Sequence, residues 1–330
     1  MDFLSDVLRT VQLSSAAFYK AEFCFPWSFR APASSTLLPW IPFHSGRAIV
    51  CHWITAGKAW ICLEGESPLS VEAGDLVVLP EGDAHLMGSG PRVEPADNEQ
   101  ILKRIFKGAP DVPRLCDGGE MTTIVCGYLC RDTHMNPLLL SGLPRLLKVS
   151  ILNRPACSWM EQSILFSAAQ GRAGTMGLEA LLAKLSEALL VETLRQYATE
   201  QPDAKTGWLA AARNPDMRRA LALLHLEPAR EWSIEELAQE AGVSRSVLAV
   251  RFQRYLGTAP MTYLLRWRLQ LGARALRTTN TSVAEIASAS GYRSEAAFNR
   301  AFKREFGVPP ARFRRGYLRS AAELPAESSE

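Results

Sequence analysis

One pattern occurs twice in this chain, and no other feature restricts the fold as strongly. Leu237 and Ala238 are followed by Gly242, Ser244, Leu248, Phe252, Gly257 and Pro260. Ile286 and Ala287 are followed by Gly291, Ser294, Phe298, Phe302, Gly307 and Pro310. Counted from each serine, the later landmarks fall at identical offsets, and Arg254 corresponds to Arg304. Two copies in register are the mark of a repeated supersecondary unit. Each copy reads as a short helix, a tight turn at glycine and a second helix capped by serine. Small Ala238 and Ala287 let the paired helices cross closely, and Gly242 and Gly291 suit a turn where positive φ is costly for other residues. Leucine and phenylalanine four residues apart bury one face of each second helix. The pattern predicts a duplicated helix-turn-helix.

The opposite faces carry the chemistry. The first second-helix exposes Arg245, Ser246, Ala249, Val250 and Arg254, and the second exposes Glu295, Ala296, Asn299, Arg300, Lys303 and Arg304. From Trp208 to Ser320 there are 19 Lys+Arg against 9 Asp+Glu, a net +10 in a chain whose total is +3, so the remainder carries −7. That asymmetry fits a phosphate-binding module joined to a neutral or acidic partner domain. Between the copies, Pro260 to Arg277 reads as one amphipathic helix with no internal proline. At roughly 1.5 Å per residue it spans about 27 Å. A spacer of that size can place two helices in successive major-groove segments, about 34 Å apart on one side of B-DNA. The expected partner is double-stranded DNA.

This region, about the last 100 residues, resembles the AraC/XylS family of bacterial transcription regulators. The resemblance rests on Ser244 to Phe252, Ile286-Ala287, Gly291 to Phe302, Phe306 to Pro310, and Arg312 to Arg314. It implies that both second helices contact base edges, through Ser246, Ala249 and Val250 in the first and Glu295, Ala296 and Arg300 in the second. Ala249 and Val250 offer only apolar contact, for instance to thymine methyls. The resemblance further implies a homodimer, and contact with RNA polymerase if the outcome is activation.

The other two thirds of the chain read differently. With 330 residues, of which 47% are hydrophobic, the chain can build two or three cored domains. Residues 1 to 10 read as a short amphipathic helix, not a signal peptide, because no basic start precedes an apolar run. No 18-residue apolar stretch occurs, so no membrane span and a cytoplasmic location are expected, with seven cysteines free by default. From about Ala16 the texture is β. Arg47 to Ile54, Ala59 to Leu63, Asp75 to Leu79 and Thr122 to Leu129 read as strands of a sandwich or barrel.

Within this stretch Gly74, Pro80, Gly82 and His85 have the spacing of the second motif of the cupin β-barrels, and Gly46, His52 and Gly65 match the first motif in part. The stretch from about residue 20 to 130 resembles the cupin sensor domain found in some of these regulators. In cupin enzymes histidines and a glutamate hold a metal. Here Ile54 and Lys58 stand where a second histidine and the glutamate are usual, so only His52 and His85 remain. Two neutral imidazoles make a poor divalent site, with Cys51 or Cys62 the candidates to complete it. The metal question stays open. His52, Lys58 and His85 are instead expected to form an effector pocket for a small molecule of acidic character, because a lysine favours an anion. Cys24, Cys126 and Cys130 are the candidates for a redox signal. The alternative is a metal-dependent cupin enzyme carrying a DNA-binding tail. No Walker-type loop or dinucleotide fingerprint occurs, so no cofactor is expected.

Helical texture resumes at Leu138, with helices expected over Pro155 to Ala169 and Gly177 to Tyr197. The second has too many leucines for one narrow stripe, which leaves a face for a second copy of the chain. The expected architecture is α+β and multidomain, and non-enzymatic. It comprises a cupin-like sensor barrel over 1–135, a helical dimerisation segment over 136–200, a linker over 201–213, an all-α double helix-turn-helix over 214–320 and a disordered tail over 321–330.

Overall fold

Short runs rich in Val, Ile, Trp and Leu, most of them closed by a glycine turn, become strands where the sequence placed them. The computed structural model describes residues 3–8, 11, 13–37, 47–91, 93–97, 114–115, 118–131, 143–151, 158–170, 177–200 and 207–322. These fall into two units, one of Val11–Asp203 and one of Met1–Thr10 with Ala204–Glu330.

The first unit is built on two sheets. Its strands are β1 (Leu13–Cys24), β2 (Trp27–Ala31), β3 (Arg47–Ala56), β4 (Lys58–Leu63), β5 (Leu69–Glu72), β6 (Asp75–Leu79), β7 (His85–Ser89), β8 (Ala96–Asp97), β9 (Arg114–Leu115), β10 (Met121–Arg131) and β11 (Leu147–Ser150). One sheet runs β11-β6-β3-β10-β1-β9 and the other β5-β4-β7-β2-β8. The long strands pair antiparallel, with Tyr19 opposite Cys126 and Cys126 opposite His52. Alternation along β10 sends Ile124, Cys126, Tyr128 and Cys130 into one core. Phe23, Val50 and Ile54 join them from the same sheet, and Trp27, Phe29, Ile61, Leu63 and Met87 from the other. Two inner faces therefore share one hydrophobic interior, as in a sandwich. Each fully buried side chain of this size contributes about 1.5–3 kcal/mol. Short α2 (Ser34–Leu37) lies beside β3. Two helices follow, α3 (Ser158–Gln170) and α4 (Leu178–Glu200). The second lies along β1, where Glu187 Oε1 accepts from the Leu13 backbone N–H at 3.0 Å.

The second unit is helical: α5 (Gly207–Arg213), α6 (Pro215–Leu226), α7 (Ile234–Ala241), α8 (Arg245–Leu256), α9 (Pro260–Thr278), α10 (Val283–Ala289), α11 (Glu295–Phe306) and α12 (Pro310–Ala322). Asn214 caps α6 through the Met217 N–H, with Pro215 at the first helical position, as the sequence suggested.

Three boundaries differ from the sequence reading. Helix α1 (Phe3–Leu8) packs on α6 with Val7 and Leu8 buried, so the first ten residues group with the helical unit and not with the sheets. Residues 207–213, read as linker, form a helix that buries Trp208, Leu209, Ala210 and Ala211. An apolar run of that density had a core to fill. Helix α12 continues to Ala322, and the rest of the expected tail lies outside the described residues. Among the described residues no helix is long and apolar enough to cross a membrane.

Candidate DNA-reading face and sensor interior

The repeat seen in the sequence is a repeat in hydrogen bonds. Ser233, Ser244, Ser282 and Ser294 each cap a helix by accepting the backbone N–H of the residue three positions on. The turns match as well. The Val243 N–H donates to Ala238 O at 3.0 Å, and the Tyr292 N–H donates to Ala287 O at 2.9 Å. Gly242 and Gly291 take φ of 79° and 78°, in the left-handed region that glycine enters without strain. Leu248 with Phe252, and Phe298 with Phe302, are fully buried and root the second helices α8 and α11. Their far sides face water. Arg245, Ser246, Val250 and Arg254 are exposed on α8, with Ala249 half-buried. Glu295, Ala296, Arg300, Lys303 and Arg304 are exposed on α11, with Asn299 half-buried.

Charge on these faces is distributed unequally. Arg245 pairs with Glu235 at 2.7 Å, and the Arg254 guanidinium lies 5.6 Å from the Tyr255 ring centre. Among the described residues no carboxylate pairs with Arg300 or Lys303, which border an open cleft of about 300 Å³ together with Val283, Glu295, Asn299, Pro309 and Ala311. Val250 is 65% exposed, unusual for a β-branched apolar side chain unless something else covers it. The connecting helix α9, with 19 residues, is about 28 Å long at ~1.5 Å per residue.

The sensor interior holds a buried polar chain that the sequence did not announce. His52 Nε2 and His85 Nε2 are 2.8 Å apart, His52 Nδ1 is 3.1 Å from Cys126 Sγ, and His85 Nδ1 is 2.8 Å from Asp83 O. The carbonyl can only accept, so His85 Nδ1 carries the hydrogen and its Nε2 is the acceptor. His52 Nε2–H then donates to it, and the Cys126 thiol donates to His52 Nδ1. The Tyr19 hydroxyl in turn hydrogen-bonds Cys126. Burial holds His52 well below the usual histidine range and pushes His85 down to about 4, so both are neutral at pH 7. Burial likewise pushes Cys126 and Cys51 up to about 12, which keeps both as thiols.

Lys58 is not part of this chain. It is exposed at the opening of β4, whereas His85 pairs with Leu63 at the strand's other end. At ~3.4 Å per residue that is about 17 Å away. The expected His52–Lys58–His85 pocket is therefore corrected to a His52–His85–Cys126 chain. The residues also fit a cupin-type metal badly. The two Nε2 atoms bond to each other, and Cys126 sits on the opposite edge of the His52 ring. Cys62 is turned to the carbonyls of Leu63 and Glu66, and Cys51 faces Gly127 across the sheet. Among the described residues no three His, Cys, Asp or Glu side chains are placed so as to hold a metal ion.

Of the redox candidates, Cys126 and Cys130 are thiols outside any disulfide, fully buried on one face of β10, whereas Cys24 is disulfide-bonded. The expectation that all cysteines are free fails at Cys24.

Comparison with known proteins divides the chain near the same point but counts the first helix with the sheets. Residues 2–199 match the family described as "Cupin", and residues 237–316 match the one described as "Helix-turn-helix domain". A putative AraC-like transcription regulator of Streptomyces lividans is 32% identical over 83% of this chain and 89% of its own length. The HTH-type transcriptional regulator AlkR of Acinetobacter baylyi (strain ATCC 33305 / BD413 / ADP1) is 28% identical over 95% of this chain and 99% of its own. The RCS-specific HTH-type transcriptional activator RclR of Escherichia coli (strain K12) is 27% identical over 83% of this chain and 87% of its own.

Proposed function

The chain belongs to the AraC-like transcription regulators that join a cupin domain to a helix-turn-helix domain, and from this we infer that α8 and α11 are its two reading heads. The carrying observation is the pair of serine-capped helices, each rooted by buried hydrophobes and presenting a polar or basic face to water. Ser246, Ala249, Val250, Glu295, Ala296 and Arg300 meet base edges in this reading. Arg245, Arg254, Asn299, Lys303 and Arg304 hold the phosphate backbone. Exposed Val250 suits a thymine methyl, a contact that would cover an otherwise wetted apolar surface.

The test separates base readout from charge. Arg300→Ala is expected to cost about 1–3 kcal/mol on a site selected from random DNA, and less on unselected DNA. Lys303→Ala is expected to weaken both equally and to lower the salt dependence of binding. Equal losses on both DNAs for Arg300→Ala would remove it from the base-reading set.

The sheet unit receives the signal and is assigned no catalysis, since His52 and His85 are neutral, enclosed and bonded to each other. The acidic-effector argument loses its lysine, because Lys58 is exposed. A redox signal has a specific observation in its favour, the Cys24 disulfide, and a relative whose name is RCS-specific. Cys24→Ala is then expected to abolish any difference between footprints taken with thiol reductant and with peroxide. A wild-type footprint indifferent to both reagents removes the redox reading. Exposed Trp159, Leu165 and Phe166 on α3 and Leu181 on α4 favour a homodimer formed through these helices. Contact with RNA polymerase follows if binding activates transcription.

A further inference from the structure

Helix α9 is the covalent link between the two helix-turn-helix copies, but it is not the whole of their attachment. The loop Glu227 to Trp232, which leads into the first copy, runs against the turn of the second copy at Gly291 to Arg293. Arg293 forms a two-pronged pair with Glu231, Nε to Oε1 and Nη2 to Oε2, each at 2.7 Å. A β-carbon at Gly291 would stand 2.8 Å from Ala229 Cα, 3.0 Å from Ala229 O and 3.0 Å from Arg268 Cζ, so backbone meets backbone there and only glycine fits. Arg268, at the middle of α9, backs the contact by donating to Pro228 O at 2.6 Å and Arg230 O at 2.8 Å.

The loop itself is stiff. Arg230 lies 3.9 Å over the Trp232 ring and pairs with Glu227 and Glu236, while Trp232 Nε1 donates to Glu227 O at 3.1 Å. Cation–π stacking and charge-assisted bonds of this kind hold a short loop in one shape. Glu231 stands two residues before the cap of α7, and Arg293 immediately precedes the cap of α11. A force on either therefore reaches the start of α7, the helix that carries α8, or of α11 itself with little slack between. A single helix can twist and bend along its length. Two copies tied both by α9 and by this loop cannot change their relative twist without breaking the second tie.

We propose that the Glu231–Arg293 pair and the Ala229–Gly291 contact form a clamp that fixes the spacing and twist between α8 and α11, making Glu231 and Arg293 positioning residues that set which separation of groove segments the protein accepts. The proposal rests on the reading of α8 and α11 as the reading heads. Neither residue need touch DNA for this. One inserted base pair moves the second segment by about 3.4 Å and turns it by about 34–36°, a displacement that a clamped pair of heads cannot follow.

The experiment uses the full chain and a DNA site selected from random sequence by the wild type. Affinity is measured for that site and for versions with one base pair added or removed between its two segments, for wild type, Glu231→Arg, Arg293→Glu and the double exchange. Both side chains are largely exposed, at 66% and 84%, so the variants keep their fold, which thermal melts verify. Wild type is expected to lose more than about tenfold on the altered spacings, each single variant less than about threefold, and the double exchange to recover the wild-type ratio, since only the clamp is restored. A wild-type-like ratio in Glu231→Arg overturns the clamp while leaving the reading heads in place. So does an Arg293→Glu variant that weakens every site equally and is not rescued by the exchange, because Arg293 would then be a phosphate contact. A wild-type chain that selects no sequence overturns the reading heads and the clamp together.

Discussion

Phe302→Ala is expected to cost about 3–5 kcal/mol of folding stability. Phe302 is fully buried among three other phenylalanines, with ring centres 5.4 Å from Phe298, 4.3 Å from Phe306 and 5.2 Å from Phe313. These rings come from α11, from its own end and from α12, so one deletion empties the joint that holds α11 in place. Leu269, Ala273 and Leu276 of α9 border the same cluster. Helices cannot collapse into a void of that size without losing their other contacts. Total stability of a domain is only about 5–15 kcal/mol, so the second copy should unfold locally while the first copy, rooted separately by Leu237, Leu248 and Phe252, persists. Thermal melts followed by circular dichroism, with footprints read in parallel, check this. The expected footprint covers only the segment facing α8. A melt within about 1 kcal/mol of wild type would mean the site repacks and the joint is not as described. Arg300→Ala, in contrast, should bind poorly and melt normally, because its side chain lies on the wetted face.

How much of this was legible in the sequence depends on how far apart the partners lie. Caps, glycine turns and the leucine–phenylalanine pairs are set by neighbours within a few residues, so both copies could be read directly, down to the serine of each cap. The long strands were legible for the same reason, from alternation and bounding glycines. Contacts between distant strands were not. His52 meets Cys126, 74 residues away, only because of one strand register, and a slip of one residue would turn either side chain to the other face. Lys58 was misplaced because motif spacing counts residues without noticing that Gly57 turns the chain onto the next strand. The Glu231–Arg293 pair spans 62 residues and involves two exposed charges, which leave no periodic trace. Helix α5 is different. Trp208 and Leu209 beside three alanine-sized neighbours signalled a buried turn, and the polar residues before them masked it.

Acid should destabilise both units, and the histidines give the window. His85 is held at about 4 in the folded chain by burial, against about 6.5 when unfolded. Its folded form therefore binds the proton less readily, so stability is complete above pH 6.5 and is lost as pH falls toward 4. Protonation also has a geometric cost. Once His85 Nε2 carries a hydrogen, it faces the hydrogen on His52 Nε2 across 2.8 Å, and the chain from Cys126 to Asp83 must break. The helical unit has its own buried histidine. His225 sits at about 3, its Nε2 is 2.8 Å from the Tyr263 hydroxyl, and its ring stacks 4.0 Å from that of Trp267, so its loss extends from pH 6.5 to about 3. Glu192 and Glu285, held low by Arg195 and Ser282 respectively, add to the loss in the same direction. Melting temperature measured from pH 7 to 4 should fall steadily below 6.5. His85→Gln should start less stable at pH 7, because the relay loses an imidazole, but should fall less steeply between 6.5 and 4, having one titrating group fewer. Equal slopes for wild type and His85→Gln would mean that His85 is protonated without breaking the buried chain, and the hydrogen-bond order deduced from the Asp83 carbonyl would be wrong.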